Sequence, residues 1–388
     1  MTKDKHGDAR HVARGHIAYR RMPIEVESPE QFGYGRIRYN LAESSVSDRV
    51  WDDLGLDLSG LVLGYGDHLG DPRLREIIAA EHAGVSPGDV LLTAGAAAAL
   101  FIVNTALCGR GDHIIVVHPN YVTNVETPRA IGAQAEFLRL RFEERWRVDV
   151  DRLASMMRPQ TRLVSLTSPH NPTGAVIPED DLRRVVELIA DRGCYLLLDE
   201  TYRDMAFDPP PPLAASLHPG VISVSSLSKS YGLPGIRLGW LVNRSPALME
   251  VFLAAKEQTV LCGSVVDEAI GAQVLARRAE WLARIKPEIA ERLATVKAWM
   301  ERSPVLEWVE PVGGVVGFPR IKPHLEVNVD SFYRLLVERY GTFVGPGHWF
   351  EMDRRYMRIG FGWPSADELA AGLECVARAV EEASAARL

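Results

Sequence analysis

A chain of 388 residues is too long for one small core and long enough for a large domain and a smaller one. Hydrophobic residues at 47% and charged residues at 24% describe an ordinary globular chain, and a net charge of -7 leaves no basic excess for nucleic acid. No apolar run approaches the roughly 18 residues of a membrane span, Met1–His6 has no apolar leader core, and Cys108, Cys194, Cys262 and Cys375 lack paired spacing, so the expected setting is a reducing cytoplasm.

Residues 1–15 are polar; His6, His11 and His16 read as part of a frayed tail rather than a metal site. Residues 32–46 mix glycine, aromatic and small polar residues without a regular period. In the glycine-rich stretch 64–76, Asp71 is placed to cap a helix with Pro72 at its first position.

From 86 to about 245, short apolar strands alternate with helices. Val90–Thr93 leads into Gly95-Ala96, small residues that open a helix and leave its first N–H groups free for an anion, or simply pack it closely on a sheet. Ile114–Val117 delivers Tyr121, and Leu163–Leu166 delivers Asn171-Pro172-Thr173-Gly174, a tight turn at a strand end. Cys194–Tyr202 places four apolar residues before Asp199, whose carboxylate would be buried and would need a cation. Pro209–Pro212 reads as an extended surface loop.

The strand Val221–Val224 ends in Ser225–Gly239. Lys229 at a buried strand end would be partly desolvated, which lowers its pKa and makes the amine a usable nucleophile. Hydroxyls at Ser226 and Ser228 with the Arg237 guanidinium suit a bound phosphate, although a Ser-rich loop with Lys and Arg also suits a solvated turn. Residues 265–300 read as one long amphipathic helix linking two domains. The remainder reads as a small α+β domain, with strands at 313–318 and 356–361, a covering loop at 343–350 and a closing helix at 365–385. No GxGxxG or P-loop pattern accompanies the strand–helix alternation.

The order of small residues, Lys229, glycine and Arg237 resembles the lysine motif of the class I/II aminotransferases, the fold-type I pyridoxal-phosphate enzymes. Asn171-Pro172-Thr173-Gly174 and the strand ending in Asp199, with Tyr202 after it, fall in that family's order too. The resemblance implies an α/β fold, with a mostly parallel sheet in a large domain (56–282), a small C-terminal domain (283–388) and an N-terminal segment (1–55) that joins the small domain and covers the site. It implies pyridoxal 5'-phosphate as cofactor, held through a Schiff base on Lys229. Gly95, Ala96, Ser226, Ser228 and Arg237 would anchor its phosphate, Tyr121 would stack on its ring, Asn171 and Tyr202 would meet its phenolic oxygen, and Asp199 would pair with its ring nitrogen. Arg358 would bind the substrate carboxylate, and Tyr65 would reach the phosphate of a neighbouring subunit in a homodimer.

The implied activity is transamination between an L-amino acid and a 2-oxo acid, with Lys229 as general base. The group also contains lyases and cyclases, such as capreomycidine synthase, which closes a ring on a hydroxylated arginine. Glu43-Ser44-Ser45 departs from the family's glycine-containing stretch; Glu43, with Ser44 beside it, would receive a cationic substrate side chain or lie in a surface turn. Side-chain selectivity is expected from residues 32–46, 258–264 and 345–350.

Overall fold

The apolar strands assemble into one seven-stranded sheet in a computed structural model that describes residues 17–385. His6, His11 and His16 lie outside the described residues. In chain order the strands are β1 (Val90–Thr93), β2 (His113–His118), β3 (Gln134–Arg139), β4 (Thr161–Thr167), β5 (Tyr195–Asp199), β6 (Val221–Ser226) and β7 (Gly239–Val242). Their spatial order is β1-β7-β6-β5-β4-β2-β3. The ladders from β3 to β6 are parallel, while β7 runs antiparallel to both β6 and β1.

Such a sheet is covered on both faces, which is why its strands read as continuous apolar runs. Along β2 the side chains alternate between two cores. Ile114 and Val116 meet Ala99, Leu100 and Val103 of the helix Gly95–Leu107, whereas Ile115 and Val117 share a core with Leu182, Val185 and Ile189 of the helix Glu179–Arg192. Pairing of Thr167 with Asp199, and of Asp199 with Val224, brings the ends of β4, β5 and β6 level. The loops after these strands are therefore neighbours in space, the usual place for a ligand in an open α/β sheet.

The C-terminal part packs around a second core that includes Phe332, Leu336, Ile359, Val376 and Val380. It contains the three-stranded sheet β8 (Val316–Gly317), β9 (Gly345–Pro346) and β10 (Met357–Gly360), with β10 in the middle, and the closing helix Ala366–Ala385. Tyr39–Asn40 pairs in parallel with Thr342–Phe343, and Leu41 and Val46 enter the same core.

Two expectations need correction. Residues 265–300 are not one helix: Val265–Ala276 and Arg278–Arg302 are separated at Arg277, which leaves helical geometry (φ -109°, ψ 21°). Within the second helix, Trp281 joins the core beneath β1 and β7 while Ile285 joins the C-terminal core. The strand expected at 313–318 shrinks to Val316–Gly317, because Gly314 takes a positive φ of 77° in the turn before it. Asp71 does cap its helix, accepting from the Leu74 N–H at 2.8 Å with Pro72 at the first position.

Candidate active site

The ends of the parallel strands open into a cavity of about 380 Å³. Of the residues singled out in the sequence, Ala96, Tyr121, Asn171, Asp199, Tyr202, Ser226, Ser228, Lys229, Arg237, Arg358, Glu43 and Ser44 all line it. Gly95 lies just beneath its floor: a Cβ built there would meet Arg237 Nη2 at 2.7 Å. Tyr65 is not in the cavity; it is 89% exposed.

Lys229 follows β6, and its Nζ donates to Ser44 Oγ at 3.0 Å. Burial holds this amine below the usual lysine range, opposed by the negative field of Glu43 and aided by the positive field of Arg358. A lysine so placed has a larger neutral fraction near pH 7, as a nucleophile or base requires. Tyr202 is buried and donates to the Ser44 carbonyl at 2.7 Å; burial pushes its phenol up to about 12, so it remains a donor. The backbone of Ser44 thus faces Tyr202 while its hydroxyl faces Lys229.

Asp199 ends β5 and is 5% exposed. Burial raises its pKa, while a 2.6 Å hydrogen bond from Thr201 Oγ1, another from the Thr201 N–H at 3.1 Å and a longer one from Asn124 Nδ2 at 3.4 Å favour the carboxylate. Among the described residues no basic side chain forms an ion pair with it, so it has the need and the capacity for a cationic partner.

Arg358 lies on β10 and is 4% exposed. Its Nη1 donates to Asn171 Oδ1 at 3.2 Å and its Nη2 to the Ala42 carbonyl at 2.7 Å, while Nε has no partner. Burial lowers its pKa, and the guanidinium packs over Phe350 at 5.2 Å. A buried guanidinium with an orphan N–H at a cavity wall fits an anionic group such as a carboxylate.

The floor passes a direct test for a phosphate-bearing group. Gly239 and Gly95 let three backbones converge: a Cβ at Gly239 would stand 2.5 Å from Gly95 C and 2.6 Å from Ala96 N. Gly95 has φ 78° and begins a 13-residue helix, whose free first N–H groups favour an anion. Arg237 reaches over Gly95 and is itself held in left-handed geometry (φ 41°), donating to the Pro234 carbonyl at 2.6 Å. Ser226 and Ser228, both buried, add hydroxyls. Phosphate donors on the floor, a buried carboxylate without an ion pair at the end of β5 and a desolvated lysine in the same cavity fit pyridoxal phosphate.

Sequence reasoning missed several residues. Thr201 follows Asp199 by two positions, the spacing at which an aspartate accepts from its own backbone, and that signal was available. Asn124 and Asn120 carry the polar network under Tyr121, where Asn120 Oδ1 accepts from Thr167 Oγ1 at 2.9 Å; nothing in their spacing marks them. The wall also includes Ile24 and Glu25 on the short helix Pro23–Glu27, Pro29 and Glu30 on the short helix Pro29–Phe32, and Ser28 between them. Selectivity was expected from 32–46, 258–264 and 345–350; of these, Ala42, Glu43, Ser44 and Trp349 line the cavity and 258–264 does not.

The family profile described as aminotransferase class I and II matches residues 38–374. Capreomycidine synthase of Streptomyces vinaceus is 34% identical over 334 residues, 82% of each chain. The arginine–pyruvate transaminase AruH of Pseudomonas aeruginosa is 32% identical over 297 residues, 74% of each. The solved structure of the PLP-dependent cyclase OrfR superposes with a TM-score of 0.85 at 27% identity, covering 94% of this chain and 98% of that one. This chain therefore belongs to the class I and II aminotransferase family of pyridoxal-phosphate-dependent enzymes, with the fold-type I architecture.

Proposed function

We propose that the protein is an aminotransferase that moves the amino group of an L-amino acid to a 2-oxo acid. The observation that carries this reading is the convergence of Lys229, Asp199, Arg237 and Arg358 on one cavity. Pyridoxal phosphate, when bound, supplies an electron sink for the substrate α-carbon. Arg237, the Gly95 and Ala96 N–H groups, Ser226 and Ser228 would hold its phosphate; Asp199 would pair with its ring nitrogen; Asn171 and Tyr202 would border its phenolic oxygen, with Tyr121 against its ring. Arg358 holds the substrate carboxylate and so sets which α-bond faces Lys229. The Lys229 amine, whose pKa burial lowers, would remove the substrate α-proton as general base and carry it for return. Ser44 Oγ, 3.0 Å from Nζ, steadies the amine between these steps.

The same reading divides the chain into an N-terminal covering segment to about residue 55, a large domain to about 282 and a small domain beyond. It also implies a homodimer: Tyr65, 89% exposed next to Val62 (79%) and Leu63 (76%), offers an uncovered apolar strip for a second copy. Four free cysteines suit a reducing compartment.

A second reading, a lyase or cyclase, shares every step up to proton removal and is favoured by the likeness to capreomycidine synthase and OrfR. Transfer of the amino group separates the two. The enzyme is given a 15N-labelled amino acid and an unlabelled 2-oxo acid, and products are identified by mass spectrometry. Label in a new amino acid formed from the 2-oxo acid establishes transamination. An unsaturated or cyclic product formed with no 2-oxo acid present establishes the second reading and overturns the first.

A further inference from the structure

We propose that Glu30 and Glu43 form a clamp for a positively charged substrate side chain, so that the substrate is a basic amino acid. This rests on the catalytic reading above and adds to it the class of side chain. Four carboxylates line the cavity (Glu25, Glu30, Glu43 and Asp199) against three cations, Lys229, Arg237 and Arg358. Once a phosphate faces Arg237, a ring cation faces Asp199 and a substrate carboxylate faces Arg358, those three residues have partners, which leaves Lys229 and the three glutamates. Glu25 spends one carboxylate oxygen on the cap of its own helix, accepting from the Met22 N–H at 2.9 Å, and is left out of the clamp on that ground. Among the described residues, Glu30 and Glu43 form no ion pair. Glu30 is exposed and Glu43 half-buried, so a cationic substrate side chain would gain from their charge rather than relieve a burial cost.

The position of Glu43 makes the assignment specific. Its chain neighbours hold the two groups that grip the substrate's α-carbon end: the Ala42 carbonyl accepts from Arg358 Nη2 at 2.7 Å, and Ser44 Oγ accepts from Lys229 Nζ at 3.0 Å. The unpartnered Nε of Arg358, on a side chain 96% buried, marks where the carboxylate binds. The substrate side chain must then leave from a point flanked by Glu43. The Glu43 carboxylate is aimed by Tyr34, whose hydroxyl donates to Oε1 at 2.9 Å and whose ring stacks on Trp363 at 6.2 Å and 11°. That bond uses one lone pair and leaves the rest of the carboxylate free. Glu30 and Glu43 line the same cavity as Lys229 and Arg358. A guanidinium and an ammonium share the required charge.

The test uses Lys229→Ala protein loaded with pyridoxal phosphate, so that ligands bind without turnover, and calorimetry with L-arginine, L-lysine and the neutral isostere L-citrulline. Arginine is expected to bind at least about tenfold more tightly than citrulline, since a hydrogen bond to a charged group is worth about 1.5–3 kcal/mol. Adding Glu30→Gln or Glu43→Gln should each lower the arginine-to-citrulline ratio several-fold, and the pair together should bring it near one. Glu43→Gln still accepts from Tyr34, so a role confined to holding Tyr34 would leave the ratio unchanged. Lysine binding as well as arginine identifies charge as the feature read; arginine binding better identifies the guanidinium. Equal binding of arginine and citrulline before those substitutions, or a ratio that survives the double substitution, overturns the clamp while leaving the catalytic reading intact. Failure of the unmutated protein to bind pyridoxal phosphate would instead remove the catalytic reading on which the clamp depends.

Discussion

The cavity has two kinds of wall. Along the sheet, Ala96, Tyr121, Asn171, Asp199, Ser226 and Lys229 each stand within a few residues of a strand end whose ladder register is set by a fully buried neighbour. Along the N-terminal segment, the lining comes from a five-residue helix, a four-residue helix and the extended residues 42–44. Glu25 and Glu30 are exposed there, whereas Asp199 and Arg358 are 5% and 4% exposed. Groups that must be held to fractions of an ångström sit on elements that cannot shift independently. Groups that need only supply charge and shape sit on short elements that can vary in sequence without disturbing the sheet.

This contrast is tested most severely at the sheet wall. Lys229→Ala should lower turnover by at least about 10⁴-fold, because on the proposed reading it removes both the base and the attachment point, while the circular dichroism spectrum stays that of the parent. Rate measurement under single-turnover conditions checks it, and a loss of only a few-fold would mean that another group moves the proton.

Asp199→Asn should reduce turnover by about 10²-fold or more, since it replaces a placed charge with a dipole. It should have the opposite sign for the protein without cofactor. Burial raises the Asp199 pKa above its ordinary 3.8, so the folded state prefers the protonated form. Its contribution is therefore fully present below the unfolded carboxylate range and is lost as pH rises through the raised folded value. Melting curves of cofactor-free protein should show the parent losing stability across that interval and Asp199→Asn losing less. With cofactor bound, the cation on Asp199 should abolish the difference or reverse it.

Gly239→Ala should cost about 1–3 kcal/mol, because the new methyl meets backbone atoms of Gly95 and Ala96 that belong to a helix start and cannot rotate away. The same displacement opens the floor beneath Arg237, so affinity for pyridoxal phosphate should fall together with stability. Denaturant midpoints and cofactor titration of one sample would show whether both move. An unchanged affinity would indicate that the phosphate is not read by this floor.

The division between the walls is also the division between what was legible and what was not. Lys229, Asp199 and Arg237 could be singled out because a strand end marked by an apolar run places one charged residue where it needs a partner, whereas Asn171 was singled out through the family resemblance alone, and the cavity brings all four together. Asn124 escaped notice because it acts through a hydrogen bond to a residue 75 positions away. The break at Arg277 escaped because amphipathic spacing continues across it, and only tertiary packing passes the chain from one core to the next. Pro23 and Pro29 at first helical positions do mark the two short helices, yet their length gives no period from which to tell which side chains face a cavity.

The smallest expected effect lies on the N-terminal wall and measures how far it is preorganised. Tyr34→Phe keeps the ring that stacks on Trp363 and removes only the hydroxyl that aims Glu43. A partly exposed hydrogen bond of this kind is worth about 0.5–1.5 kcal/mol, so a basic substrate should lose affinity by no more than about tenfold, with kcat nearly unchanged. Tyr34 is itself held in its protonated form, because burial and the Glu43 carboxylate both raise its pKa, so the effect should be flat across neutral pH. A change in KM alone would describe a wall that selects without taking part in the chemistry. A comparable fall in kcat would mean that Glu43, through Ala42 and Ser44, also sets the geometry of Arg358 and Lys229, and that the two walls act as one unit.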